Sequence, residues 1–237
     1  MIDSGSTSRG FGRFARTGAL CTALVLTLAL RAHAAEPAAA GKKPAKAEAG
    51  KAAAAAPPAD SSPKAELKKS NDQLKKVLDK KPGPQRDGKS SEVRKVVGQF
   101  LDFEELSRRS LARHWDTLNA KQRTDFVNTL RDLVESNYIK QIHGQADYDL
   151  KFEKETKEGT DATVAATLVT MSKGKKVNVA LEYKMVWKNG HWVVYDVVTD
   201  EQSLLENYRA EFNKIINKDG FDALMKRMKK KLDEKEE

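Results

Sequence analysis

The stretch from Tyr183 to Phe212, YKMVWKNGHWVVYDVVTDEQSLLENYRAEF, decides the fold. Tyr183, Met185 and Trp187 alternate with polar or smaller residues, Asn189-Gly190 offers a turn, and alternation resumes at Trp192. Period two marks a half-buried strand, and Asn-Gly is a strong two-residue hairpin signal. Such a loop pairs Lys188 with His191, which puts Trp187 opposite Trp192, Met185 opposite Val194 and Tyr183 opposite Asp196. Beyond Ser203 the period changes, and Leu204, Leu205, Tyr208, Phe212, Ile215 and Ile216 form one helical stripe.

Working upstream, Val177, Val179 and Leu181 extend the strand that ends at Trp187. Val164, Ala166 and Leu168 form another, and Tyr148, Leu150 and Phe152 a third. A turn at Lys173-Gly174 places Leu168 by Val179, Ala166 by Leu181 and Val164 by Tyr183. Consecutive hairpins make an antiparallel meander with one covered face. That face sets large residues beside the small Ala162, Val164 and Ala166, which leaves room on a concave surface. A cavity is expected there rather than a solid core.

The first half of the domain reads helical. Leu67, Leu74, Val77 and Leu78 mark a basic helix stopped by Pro82-Gly83-Pro84. Val93, Val96, Val97 and Phe100 continue at helical spacing, and Asp102 caps a segment carrying Phe103, Leu106 and Leu111. Asn119 opens the strongest helix, with Gln122 as its capping-box partner and a stripe through Phe126, Leu130, Leu133, Val134, Tyr138 and Ile142. Phe221, Leu224, Met225 and Met228 form the last helix. The expected fold is therefore α+β: N-terminal helices on a curved antiparallel meander, an NTF2-like cone, closed by C-terminal helices.

The N-terminus speaks to location. Arg9, Arg13 and Arg16 precede an apolar run from Ala19 to Leu30, followed by Ala32-His33-Ala34. This pattern describes a secretory signal peptide over 1–34, cleaved after Ala34, and the run is too short for a spanning helix. Cys21 leaves with it, so the mature chain has no thiol chemistry. Residues 35–64 are Ala, Pro and Lys with little to bury and are expected to form a tether. The folded domain is expected over 65–237. Residues 1–34 carry +3 and 35–64 carry +2 of the net charge of +9, leaving +4 for 65–237. That modest excess, without basic residues focused beside stacking aromatics, argues against nucleic-acid binding.

Catalytic signals are sparse. His114, His143 and His191 are scattered, and no pair of histidines or cysteines has metal-ligand spacing. There is no nucleophile elbow and no P-loop. The one catalytic candidate is Asp196 opposite Tyr183, an acid–base pair that an exported NTF2-like enzyme could use if burial raised the carboxyl pKa. The alternative role for Asp196 is structural, ordering the junction between strand, turn and helix.

Two blocks resemble the MlaC (toluene-tolerance, Ttg-type) family of periplasmic lipid carriers. The first holds Asp102-Phe103, Leu111-Ala112-Arg113-His114-Trp115 and the Asn119, Gln122, Phe126 helix. The second holds Trp192 to Val197, then Ser203-Leu204 with Asn207-Tyr208-Arg209 and Phe212, then Asp219-Gly220-Phe221-Asp222 with Leu224. Ala112 stands where the family often carries Gly, and Asp200-Glu201-Gln202 replaces a Gly-containing turn. The resemblance implies a monomeric periplasmic shuttle for glycerophospholipids, with no cofactor and no catalysis. Its partners would be an outer-membrane lipoprotein–porin complex and an inner-membrane MCE–ABC transporter. The expected pocket lining is Leu130, Val134, Tyr138, Val164, Ala166, Leu168, Val179, Leu181, Tyr183, Met185, Val194, Tyr208 and Phe212.

Overall fold

The computed structural model describes residues 56–79, 86–142, 148–172 and 174–236. The expected signal peptide over 1–34 and the expected tether as far as residue 55 lie outside the described residues. Helices α1 (Pro63–Asp79), α2 (Arg86–Phe100), α3 (Phe103–Leu111) and α4 (Ala120–Ile142) come first, with a 3-10 turn at Ala112–Thr117. Strands β1 (Tyr148–Glu158), β2 (Asp161–Ser172), β3 (Lys175–Lys188), β4 (His191–Thr199) and the short β5 (Gln202–Ser203) follow. Helices α5 (Leu204–Asp219) and α6 (Phe221–Glu236) close the chain. The strands pair antiparallel in sequence order, so the α+β meander expected from the alternation is the one formed.

Local chemistry explains where the elements begin. Asp102 accepts from the Glu105 amide at 3.0 Å and caps α3. Asn119 and Gln122 form the reciprocal capping box ahead of α4: the Gln122 amide reaches Asn119 Oδ1 at 2.9 Å, and the Asn119 amide reaches Gln122 Oε1 at 3.0 Å. At the hairpin, Asn189 and Gly190 both take positive φ, at 54° and 84°, as a type I′ turn requires.

The register of β2 on β3 follows the Lys173-Gly174 turn as expected: Leu168 faces Val179, Ala166 faces Leu181 and Val164 faces Tyr183. Across the Asn189-Gly190 turn, Trp187 faces Trp192 and Met185 faces Val194. There the expected pairing stops. A bulge falls between Lys184 and Met185, so Asp196 lies opposite Lys184 and Tyr183 lies opposite Val197. One extra residue reverses the side to which every later side chain points.

The apolar interior divides in two. One cluster belongs to the sheet's inner face and contains Val164, Ala166, Val179, Leu181, Met185, Val194 and Val197, with Leu67 from α1. The other is helical and contains Phe126, Leu130, Leu133, Tyr208, Phe212 and Leu224, with Tyr195 from the bulged strand. Phe126 meets Phe212 edge-on at 5.4 Å, and Tyr208 stacks on Phe212 at 5.2 Å. Helix α1 spans both clusters, giving Leu67 to the sheet and Leu74, Val77 and Leu78 to the helices.

Ordered structure begins before the expected domain boundary at residue 65. Residues 59–64, placed by their composition in the linker, are held against the sheet. Lys157 Nζ donates to the carbonyls of Ala59 and Ser61, Trp192 Nε1 donates to Ser61 Oγ, and Ser62 Oγ donates to Glu155. The cause is hydrogen bonding rather than hydrophobicity, which is why composition does not reveal it.

Candidate functional site

The inner face of the sheet is the feature to account for. β2 contributes Ala162, Val164 and Ala166, β3 contributes Val179, Leu181, Tyr183 and Met185, and β4 contributes Trp192, Val194 and Val197, all buried. Strand alternation puts them on one side, and the bulge keeps both Val194 and Val197 there although they are three residues apart. Phe152, Leu150, Leu168, Val177 and Trp187 pack around the margin. Burial pushes the Tyr183 hydroxyl above its ordinary pKa, so it stays neutral throughout the physiological range.

Helix α1 lies over this face, and polar contacts tie it to β1. The Lys64 amide donates to Glu155 Oε2 at 2.8 Å, the Tyr148 hydroxyl donates to Asn71 Oδ1 at 3.2 Å, and Lys75 pairs with Asp149 at 3.6 Å. At the opposite end of the sheet, Trp187 and Trp192 meet in a T-shaped pair at 5.4 Å, and Ser61 sits on the Trp192 indole nitrogen. A face of this kind can hold hydrocarbon. Among the described residues, the buried members of this face are apolar except for the Tyr183 hydroxyl and the Trp192 indole nitrogen.

The expected lining residues fall into the two clusters rather than one. Val164, Ala166, Val179, Leu181, Tyr183, Met185 and Val194 lie together on the sheet, with Leu168 packed against them. Leu130, Val134, Tyr208 and Phe212 lie in the helical cluster. The side chain of Tyr138 lies outside the described residues. Phe100 and Leu101 touch both clusters, and neither they nor Leu67 belong to the expected lining. Their signal was available only in part: Leu67 and Phe100 stand on helical stripes, but a stripe does not say which partner it meets.

Asp196 is not on this face. Its side chain is fully buried on the other side of β4, where it accepts from Ser203 Oγ at 2.7 Å and from the Leu205 amide at 2.9 Å. Lys184 Nζ lies 3.5 Å from the same carboxylate. The acid–base pair with Tyr183 is therefore not formed, because the bulge separates the two residues by register and by face. Among the described residues, no group of three or more His, Cys, Asp or Glu could hold a metal ion.

A model of the MlaC protein family matches residues 68–230, most of the folded chain. The chain belongs to the MlaC family. Among curated proteins, it is 25% identical over 140 residues to the intermembrane phospholipid transport system binding protein MlaC of Haemophilus influenzae. That match takes in 57% of this chain and 64% of the relative, so the chain spans a little under two thirds of that protein's length. Among solved structures, a phospholipid-binding protein from Ralstonia solanacearum, in complex with a phospholipid, superposes with a TM-score of 0.65. Its identity is 19%, and the superposition covers 73% of this chain and 98% of that one, a likeness of fold. The family match takes in the whole apolar sheet face and all of α1 from residue 68 onward.

Proposed function

We propose that this MlaC-family chain is a periplasmic phospholipid carrier that holds acyl chains between the inner face of the sheet and the helices. The observation that carries the reading is the three-strand face of buried apolar side chains under α1. The small Ala162, Val164 and Ala166 are where chains would be accommodated. The Haemophilus relative's role in phospholipid transport and the Ralstonia protein's bound phospholipid support it.

Energetics favour such a face. Each CH₂ moved out of water is worth about 0.8 kcal/mol, so two long acyl chains represent roughly 20 kcal/mol or more. The bilayer already buries them, so a carrier has only to match that environment, which requires an apolar interior with the head group at the rim. No step of chemistry is needed, and the carrier works as a monomer with lipid as cargo rather than cofactor. In this reading the protein exchanges glycerophospholipid with an outer-membrane lipoprotein–porin complex and an inner-membrane MCE–ABC transporter.

The test is native mass spectrometry of the protein purified from the periplasm of an expressing host, with lipid extraction from the same sample. One phospholipid per chain is expected. Protein that emerges free of lipid, and that takes up none from vesicles, would refute the carrier reading.

A further inference from the structure

Met171 stands apart from the rest of the apolar residues. It is the one large hydrophobic side chain that is exposed among the described residues, at 51%. It sits where the β2–β3 hairpin outruns its neighbour: the β1 pairing begins at Tyr148 opposite Thr170, so Met171 lies beyond the end of that ladder. Its partner across the hairpin is Lys176, followed by Lys175 opposite Ser172, and both lysines are exposed.

The charge of the hairpin itself is one-sided. From Ala162 to Leu181 the hairpin carries lysines but no acidic residue. Among the described carboxylates on β1, Asp149 pairs with Lys75 at 3.6 Å, and Glu153 accepts from the Thr167 hydroxyl at 2.7 Å and keeps its charge. Neither contact involves Lys175 or Lys176. An apolar tip flanked by cations matches a bilayer of anionic lipid, with a flexible thioether to enter the interface and ammonium groups to meet phosphates.

We propose that the tip of the β2–β3 hairpin, Met171 with Lys175 and Lys176, is a membrane-contact site that docks on anionic phospholipid head groups. The carrier reading supplies the reason for a membrane partner, since cargo must be exchanged at one. Each lysine near an anionic leaflet is worth roughly fivefold in partitioning. Reversing two of them should therefore cost at least tenfold.

The experiment is vesicle flotation of the full mature chain with phosphatidylcholine vesicles, with and without phosphatidylglycerol. Wild type should float with the anionic vesicles and be released by salt. The double variant Lys175→Glu, Lys176→Glu should partition at least tenfold less, and Met171→Ser severalfold less. The charge-matched pair Lys229→Glu, Lys230→Glu on α6 should bind as wild type, with near-native circular dichroism throughout. Equal loss in the α6 pair would make the attraction a matter of net charge and overturn the proposal. So would hairpin variants that bind as wild type, or a wild type that ignores the vesicles and binds polyglutamate instead. Lipid extracted from each preparation is measured alongside. Wild type that floats but carries no lipid and takes up none from the vesicles would sink the carrier reading while leaving the contact site standing.

Discussion

Ser203 Oγ donates to Asp196 Oδ2 at 2.7 Å and accepts from the Glu206 amide at 3.0 Å, so one hydroxyl joins a buried strand carboxylate to the cap of α5. Asp196 adds the Leu205 amide at 2.9 Å. The carboxylate therefore fixes where β4 ends and α5 starts, and α5 carries Tyr208 and Phe212 into the helical core.

Removing that acceptor should be costly. Asp196→Ala leaves the Leu205 amide and the Ser203 hydroxyl without it, and is expected to lower stability by about 1–3 kcal/mol in urea melts. Asp196→Asn keeps one carbonyl acceptor and should cost less. Phospholipid transfer should survive in proportion to folded protein. An Asn variant that is fully stable and fully loaded with lipid, yet dead in transfer, would contradict this structural role.

Two backbone positions predict the opposite sign. Ala112, at the end of α3, has φ 47° and ψ −120°, and Glu201, in the β4–β5 turn, has φ 67°. Both are conformations that cost an L-residue about 1–2 kcal/mol and cost glycine nothing sterically. The Asp200-Glu201 pair has positive φ at both residues, the same turn class that Asn189-Gly190 forms with a more suitable sequence. Glycine loses more entropy on folding, which offsets roughly half of the gain. Ala112→Gly and Glu201→Gly should each raise the melting temperature by about 2 °C, measurable by calorimetry. A fall in either would show that its side chain makes a compensating contact.

The same positions show how legible the fold was. Alternation and the two turns place β2, β3 and the start of β4 in their correct pairing, because a two-residue loop leaves the register no freedom. The bulge at Lys184/Met185 was not legible: Tyr195 is apolar enough to sit on either face, so period two runs through it without a break. Its effect is to carry Asp196 to the far side. The candidate site was half legible for a related reason. Leu130 and Phe212 follow helical period as faithfully as any pocket residue would, and only the packing reveals that they belong to the helical cluster. Gly at the family's positions, replaced here by Ala112 and within the Asp200-Glu201-Gln202 turn, pointed to backbone whose strain is visible only in the dihedral angles.

The segment before α1 divides into a part that matters to the fold and a part expected not to. Deleting residues 35–55 from the mature chain should leave the melting temperature unchanged. Extending the deletion through Ser62 removes the contacts of Ala59 and Ser61 with Lys157, of Ser61 with Trp192 and of Ser62 with Glu155. At a net value of about 1 kcal/mol for a buried fraction of these bonds, a fall of roughly 3–6 °C is expected. Equal melting temperatures for the two deletions would show that the contacts are too solvated to count.

Acid should weaken the α3 region through Glu105. Burial acts to raise its pKa, but hydrogen bonds from Arg108 and Arg109 outweigh that and draw it down to about 2 from 4.5. A carboxyl lowered in the folded state lends stability that is complete above the unfolded value and lost as pH falls through the folded one. The window is therefore from about pH 4.5 to about pH 2. Urea midpoints should decline across it in wild type, and Glu105→Gln should start lower at neutral pH and decline less. Parallel curves for the two proteins would place the acid sensitivity elsewhere.

Filling the sheet face tests where acyl chains lie. Ala166 is buried between Phe152 on β1 and Leu181 on β3, with the neighbouring Val164 fully buried. An indole there adds a large volume to the one strand whose inward residues are small. If the space is closed in the lipid-free protein, Ala166→Trp costs overpacking strain of about 1–3 kcal/mol, tolerable for a domain of this size. If it opens to admit cargo, the same side chain takes the place of the chains. The variant should therefore keep its far-UV circular dichroism and lose co-purified phospholipid, while Ala165→Trp, on the outer face of the same strand, keeps both. Full lipid loading in folded Ala166→Trp would move the acyl site off the sheet, toward the helical cluster around Tyr208 and Phe212.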